Sequence, residues 1–156
     1  MDSRGQGRST ISSSSITYDL MSSDVIGLLN YLNIEKVNLI GWSDGAIIGL
    51  NILIKYKNRL NSLFAFAANY NYTGVKDITT SSLFMTYLQR SHSEYEKINP
   101  ENNYTNLYNN MITMWSTTPN WSQQNFTEIS NNLPIWIVDA DHEEAIYREQ
   151  PDTMTN

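Results

Sequence analysis

The stretch LIGWSDGAIIGL, residues 39–50, decides how the chain folds. An apolar run halts at Gly41, a second glycine at position 45 opens another apolar run, and Ser43 stands midway between them. This is the G-x-S-x-G spacing of a nucleophilic serine on a sharp strand-to-helix turn. The flanking residues supply that context. KVNLIG reads as a short buried strand over 36–40, and DGAIIGLNILIKYK, apolar nearly all round, reads as a buried helix over about 44–57. Small residues are needed because the chain reverses within a few residues and the serine takes a strained backbone conformation that exposes its hydroxyl. Gly41 and Gly45 are expected to let strand and helix approach closely. The free amides at the helix start favour negative charge at the same spot, so the backbone N–H of Asp44 is the expected oxyanion donor. The same five residues also fit a glycine-rich turn in which Ser43 only caps the helix.

Upstream, YDLMSSDVIGLLNYLNI places Leu20, Met21, Asp24, Val25, Leu28, Leu29 and Leu32 at helical spacing, while residues 1–17, rich in Gly, Ser and Arg, read as loop. Downstream, LNSLFAFAANY gives a buried strand near 62–68. Residues 77–130 are rich in Tyr, Asn, Met and Trp. Within them ENNYTNLYNNMITMW sets Tyr104, Leu107, Tyr108, Met111, Ile112 and Trp115 on one helical stripe that Pro119 closes. SQQNFTEISNN reads as a short helix and LPIWIVDAD as a third buried strand near 135–139. Buried strands alternating with helices predict an α/β fold with a parallel sheet covered on both faces. Ligands bind such sheets beyond the carboxyl ends of the strands. Ser43 lies beyond one such end and the acidic run DADHEE beyond another.

The totals set limits. The 156 residues make one modest domain, with 40% apolar and 17% charged residues and 19 Asn spread through otherwise periodic segments. The net charge of −6 and scattered basic residues give no footprint for nucleic acid. The absence of cysteine removes disulfides, zinc–thiolate sites and cysteine nucleophiles. A single histidine inside DADHEE does not make a metal-ligand pattern, and no cofactor is expected. No run reaches transmembrane length and MDSRGQGRSTISSSS lacks the apolar core of a secretory signal, so no membrane is expected and the expected location is cytoplasmic. A small-molecule substrate is the expected partner, and the oligomeric state stays open.

DSRGQGRS, the helix and elbow from YDLMSS to AIIGL, LFAFAANYN and PIWIVDADHEEAI, in this order, resemble successive pieces of an α/β-hydrolase, nearest its esterase-like, proline-iminopeptidase-like and haloperoxidase-like branch. The resemblance implies that the D-x-R-G-x-G-x-S segment follows the fourth strand of that fold, GWSDG the fifth, and that PIWIVDADHEEAI is the seventh strand with its acid loop. It implies a partial hydrolase core over 1–76 and 131–156 and a helical cap over 77–130. The triad acid commonly sits in a G-x-x-D loop. Ala140 holds the glycine position here, so the acid maps to Glu143, with Asp141, and also Asp139, as substitutes if the loop register differs. Glutamate can orient and stabilise an imidazolium as aspartate does. Trp42 beside the nucleophile and Trp115 in the cap are the expected substrate-binding residues. Tyr104, Tyr108, Met111, Met114 and Trp121 suit either an apolar pocket or ordinary packing. Dehalogenase and epoxide-hydrolase relatives carry Asp where Ser43 stands.

The resemblance also implies a histidine after the acid, on a loop beyond one more strand. The two histidines present are His92, in the cap segment, and His142, inside the acid loop. The expectation is therefore a fragment holding the nucleophile, one oxyanion donor and an acid, with the base elsewhere. Loss of the histidine alone costs a serine hydrolase roughly 10⁶ in kcat, and loss of an oxyanion donor roughly 10²–10³, so these 156 residues alone are expected to be nearly inactive. The competing expectation is a non-catalytic, hydrolase-like binding or receptor protein.

Overall fold

A computed structural model describes residues 1–11, 15–127, 129 and 133–155. Helix α1 spans Tyr18–Tyr31, strand β1 Val37–Trp42, helix α2 Asp44–Tyr56 and strand β2 Leu60–Phe66. Helices α3 (Ser82–Ile98), α4 (Tyr104–Trp115) and α5 (Gln124–Thr127) follow, then strand β3 (Ile135–Val138) and helix α6 (Glu149–Thr155). The sheet is parallel throughout in the order β1-β2-β3.

Local chemistry sets the element ends. The Thr17 hydroxyl accepts from Leu20 N–H at the start of α1, and Asp19 sits in the first turn where the helix dipole favours a negative charge. At the other end Asn33 takes a φ of 56°, a conformation Asn tolerates, and Ile34 N–H reaches back to Leu29 C=O at 2.8 Å to close the helix. A fork from Arg4 to Asp24 ties the first loop to α1, with Nε and Nη2 at 2.7 and 2.6 Å from the two carboxylate oxygens. The same loop is fastened to the α3–α4 junction, where Asn99 Nδ2 donates to Gly7 C=O and Ser9 C=O.

Helix α2 is the centre of the core, with every residue from Ala46 to Leu53 buried. It lies tight against the sheet because Gly49 has no side chain. A Cβ there would stand 2.7 Å from Leu63 Cδ1 and 2.8 Å from Leu39 Cδ2. Buried Asn51 joins α2 to α1, its Nδ2 donating to Tyr18 C=O and Ser22 Oγ.

The sheet's two faces differ. Leu63 and Ala65 are fully buried on the α2 side. On the other side the register aligns Ile40, Phe64 and Trp136 in one cross-strand row, with exposures of 82%, 37% and 53%. Helices flank the parallel sheet as expected, and the described residues cover this one row only in part. Strand β2 also runs two residues earlier than expected, ending at Phe66 because Ala67 turns to a φ of 56°. Helix α3 falls within residues 77–130, expected to be helical, where no separate helix had been delimited over 82–98. Its polar sequence buries only Tyr95, and it is started by Ser81 Oγ accepting from Phe84 N–H. The short helix expected over SQQNFTEISNN is α5. Glu128 and residues 130–132 of that stretch, like residues 12–14 of the N-terminal loop, lie outside the described residues.

Candidate active site

The elbow is built from β1, Ser43 and α2. Ser43 has φ 53° and ψ −124°, a left-handed conformation costing about 1–3 kcal/mol for a residue with a side chain. Neighbours hold it there. Its N–H donates to Phe66 C=O at 2.9 Å, continuing the β ladder, and its C=O accepts from Ala46 and Ile47 N–H, starting the helix. Gly41 is obligatory, since a Cβ would meet Gly45 C=O at 2.4 Å. Gly45 is different from what was expected: a Cβ there would meet nothing within 4 Å, so close approach rests on Gly41 alone. The Ser43 side chain makes no cap hydrogen bond and is exposed. As the first helical residue, Asp44 has a backbone N–H with no intrahelical acceptor.

The Asp44 side chain is engaged elsewhere. Its carboxylate accepts from Tyr18 Oη at 2.6 Å and from Trp115 Nε1 at 3.0 and 3.1 Å. Desolvation pushes this carboxyl above the ordinary aspartate range, and the hydrogen bonds from Tyr18 and Trp115 only partly offset it. Burial and the adjacent Asp44 charge push the Tyr18 phenol upward in turn. The sequence reading did not identify Tyr18 as a site residue.

A cavity of about 890 Å³ opens over Ser43. It is walled by Trp42 and Asp44 at the elbow, Tyr87 of α3, Tyr104, Tyr108, Met111 and Trp115 of α4, and His142 and Glu143 of the loop after β3. Trp42, 61% exposed, packs edge-on against Tyr87 with ring centroids 6.4 Å apart. Of the residues that suited either a pocket or a core, Met114 is buried and Trp121 packs edge-on against Phe126; neither lines the cavity.

The loop after β3 brings one of the three expected carboxylates to the cavity. Glu143 lines it, with Oε1 accepting from Ala145 N–H at 2.7 Å and its backbone carbonyl accepting from Lys76 Nζ. Asp141 is exposed and is not among the lining residues. Both Asp139 carboxylate oxygens are buried without a well-formed hydrogen bond, and desolvation raises that carboxyl above its usual range despite the nearby Ala140 N–H. The far side of the loop is stitched to residues 74–76, where Lys76 N–H donates to Ala145 C=O and Tyr147 N–H to Gly74 C=O. His92 is on α3, stacked on Tyr104 at 4.1 Å and paired with Glu96. Exposed His142 lines the cavity, and among the described residues no histidine is hydrogen-bonded to Ser43 Oγ. No group of three or more metal-ligating side chains is placed to hold an ion among the described residues, and no described helix is long and apolar enough to cross a membrane.

Comparison with known proteins agrees with this architecture. The sequence profile described as alpha/beta hydrolase fold matches residues 1–142. Serine hydrolase BPHL of Homo sapiens is 29% identical over 89 residues, which are 50% of this chain and 31% of that protein. A hydrolase from Pseudomonas aeruginosa superposes with a TM-score of 0.67 at 14% identity, over 98% of this chain and 64% of the other. The enol-lactonase from Burkholderia xenovorans does so with a TM-score of 0.65 at 14% identity, over 98% and 65%. The 156 residues thus span about a third of that curated relative and under two thirds of these solved structures. The protein belongs to the alpha/beta hydrolase fold family.

Proposed function

We propose that these 156 residues hold the nucleophile side of a serine hydrolase active site acting on a small ester or related acyl substrate. The carrying observation is Ser43 itself, held in a left-handed conformation at a helix start, its hydroxyl uncommitted and open to an aromatic-lined cavity. In this reading Ser43 Oγ attacks the substrate carbonyl carbon and its proton passes to a histidine supplied from outside the 156 residues. The Asp44 N–H stabilises the oxyanion of the tetrahedral intermediate. Collapse expels the alcohol, which takes the proton from the imidazolium, and water then cleaves the acyl-enzyme by the same route. Glu143 orients the imidazole, with Asp141 as its substitute. Residues 77–130 act as the cap, and Trp42 and Trp115 contact the acyl or alcohol group. BPHL is named a serine hydrolase and the Burkholderia neighbour a lactonase, both consistent with acyl chemistry. The test is a longer form of the protein with a p-nitrophenyl ester and a fluorophosphonate probe. Hydrolysis and labelling are expected, and both vanish in Ser43→Ala, whereas activity retained in Ser43→Ala overturns the assignment.

One observation favours a second reading, a non-catalytic, hydrolase-like binding protein. Glu143, the expected acid, is turned onto the amide of its own loop, and no histidine engages Ser43 among the described residues. This reading expects no fluorophosphonate reaction in any length of the protein, and a signal lost in Ser43→Ala refutes it.

A further inference from the structure

We infer that the Asp44 side chain is a positioning residue that latches α4 over the nucleophile and so fixes the cavity wall facing Ser43. Three helices meet at this carboxylate. Asp44 is the first residue of α2, Tyr18 the first of α1 and Trp115 the last of α4. Tyr18 Oη donates at 2.6 Å to Oδ1, and the Trp115 indole N–H lies 3.0 and 3.1 Å from the two oxygens. Hydrogen bonds to a charged acceptor are roughly twice as strong as neutral ones. A carboxylate at a helix N-terminus is further favoured by the dipole, so the helix start and the two neutral donors together oppose the desolvation that disfavours the charge. Because its acceptors are engaged, the carboxylate is not a free base for Ser43.

The geometric consequence is specific. Tyr18 is itself anchored, 4% exposed and with its backbone carbonyl accepting from buried Asn51, so it holds the carboxylate from the core side. The carboxylate then holds Trp115 from the elbow side. Trp115, Asp44 and Ser43 line the same cavity. The residue beside the nucleophile therefore sets where the indole stands, and with it how large a group fits between α4 and Ser43.

The latch deepens the hydrolase reading, but its first test does not depend on it. In the full 156-residue protein labelled with nitrogen-15, the four tryptophans give four indole N–H resonances, and Trp115→Phe identifies the one of interest. That proton is expected to exchange slowly and to report the ionisation of Asp44, the group it faces together with the Tyr18 phenol. Asp44→Asn keeps the shape but loses the charge, and is expected to speed its exchange at least about tenfold, the difference between a charged and a neutral acceptor. Tyr18→Phe, which keeps the carboxylate, leaves the Trp115 resonance protected. Unchanged exchange in a folded Asp44→Asn variant overturns the latch.

The second test uses a longer form that reacts with fluorophosphonates, comparing rates for a small alkyl probe and a bulky aryl probe. Asp44→Asn and Trp115→Phe are expected to shift the bulky-to-small ratio in the same direction, and the double variant no further than the larger single effect. Independent, additive shifts overturn the latch even if Ser43 is the nucleophile. Absence of labelling in every variant, with the indole result intact, removes the hydrolase reading and leaves the latch standing.

Discussion

At the end of β1 every step from Gly41 to Asp44 is constrained by another part of the molecule, while among the described residues the loop after β3 is hydrogen-bonded to other elements only from Glu143 onward. Gly41 is pressed against the Gly45 carbonyl, Ser43 is hydrogen-bonded in both directions along its backbone, and Asp44 is clasped by two other helices. Beyond β3, the Asp139 carboxylate lacks a well-formed hydrogen bond, Asp141 faces solvent and the Glu143 carboxylate accepts from its own loop, while the Glu143 carbonyl accepts from Lys76 and residues 145–147 pair with 74–76. The two ends of one sheet thus differ in how fully their polar groups are satisfied. The position of Ser43 follows from packing against other elements, whereas among the described residues no hydrogen bond from another element holds the carboxylates of Asp139, Asp141 or Glu143.

The comparison is broken most sharply at Gly41. Gly41→Ala puts a methyl group against backbone that cannot yield, and is expected to cost more than about 3 kcal/mol in urea unfolding, at or beyond the usual range for overpacking. A cost under about 1 kcal/mol would show the elbow to be looser than described. Ser43→Gly should act oppositely, raising stability by about 1 kcal/mol through relief of the left-handed backbone, at the expense of the hydroxyl.

At the other strand end the expected effects are smaller and depend on pH. The Asp139 carboxyl is raised in the folded state, so the folded protein holds its proton at a pH where the unfolded protein has released it. Stability therefore falls as pH rises from the unfolded aspartate pKa, about 3.9, through the higher folded value. Asp139→Asn removes this slope, so its stability relative to the parent should improve from about pH 3 upward and then level off; a constant difference across that range contradicts the buried, unsatisfied carboxylate. Glu143→Gln should change stability least, within about 0.5 kcal/mol, because the amide oxygen can still accept from Ala145 N–H.

The sequence made legible whatever was local. Strand, serine and helix follow one another without a gap, so their apolar runs and glycines disclose the elbow, and the parallel sheet follows from alternation. The role of the Asp44 carboxylate was hidden because its partners lie 26 and 71 residues away, and neither Tyr18 nor Trp115 differs in pattern from an ordinary core aromatic. Spacing put Glu143 first among three carboxylates within five residues, but it could not disclose their surroundings, which come from residues 74–76 and from the loop's own amides. Helix α3 was expected only as part of a helical stretch over 77–130: Leu83, Phe84, Tyr87, Leu88, Tyr95 and Ile98 recur at helical spacing, but no long apolar run marks its ends. Ile40, Phe64 and Trp136 read as buried because an apolar strand bears no mark of which of its two faces is covered.

The strand order also carries a sense of time. β1 and β2 pair across a single intervening helix, so their union closes a short loop, and α2 can dock as they meet. β3 pairs with β2 across the whole of residues 67–134. Longer loops close at greater entropic cost, and distant pairings form later than near ones. The β1–Ser43–α2 turn is therefore expected to form early in folding, and the loop that brings Glu143 to the cavity late.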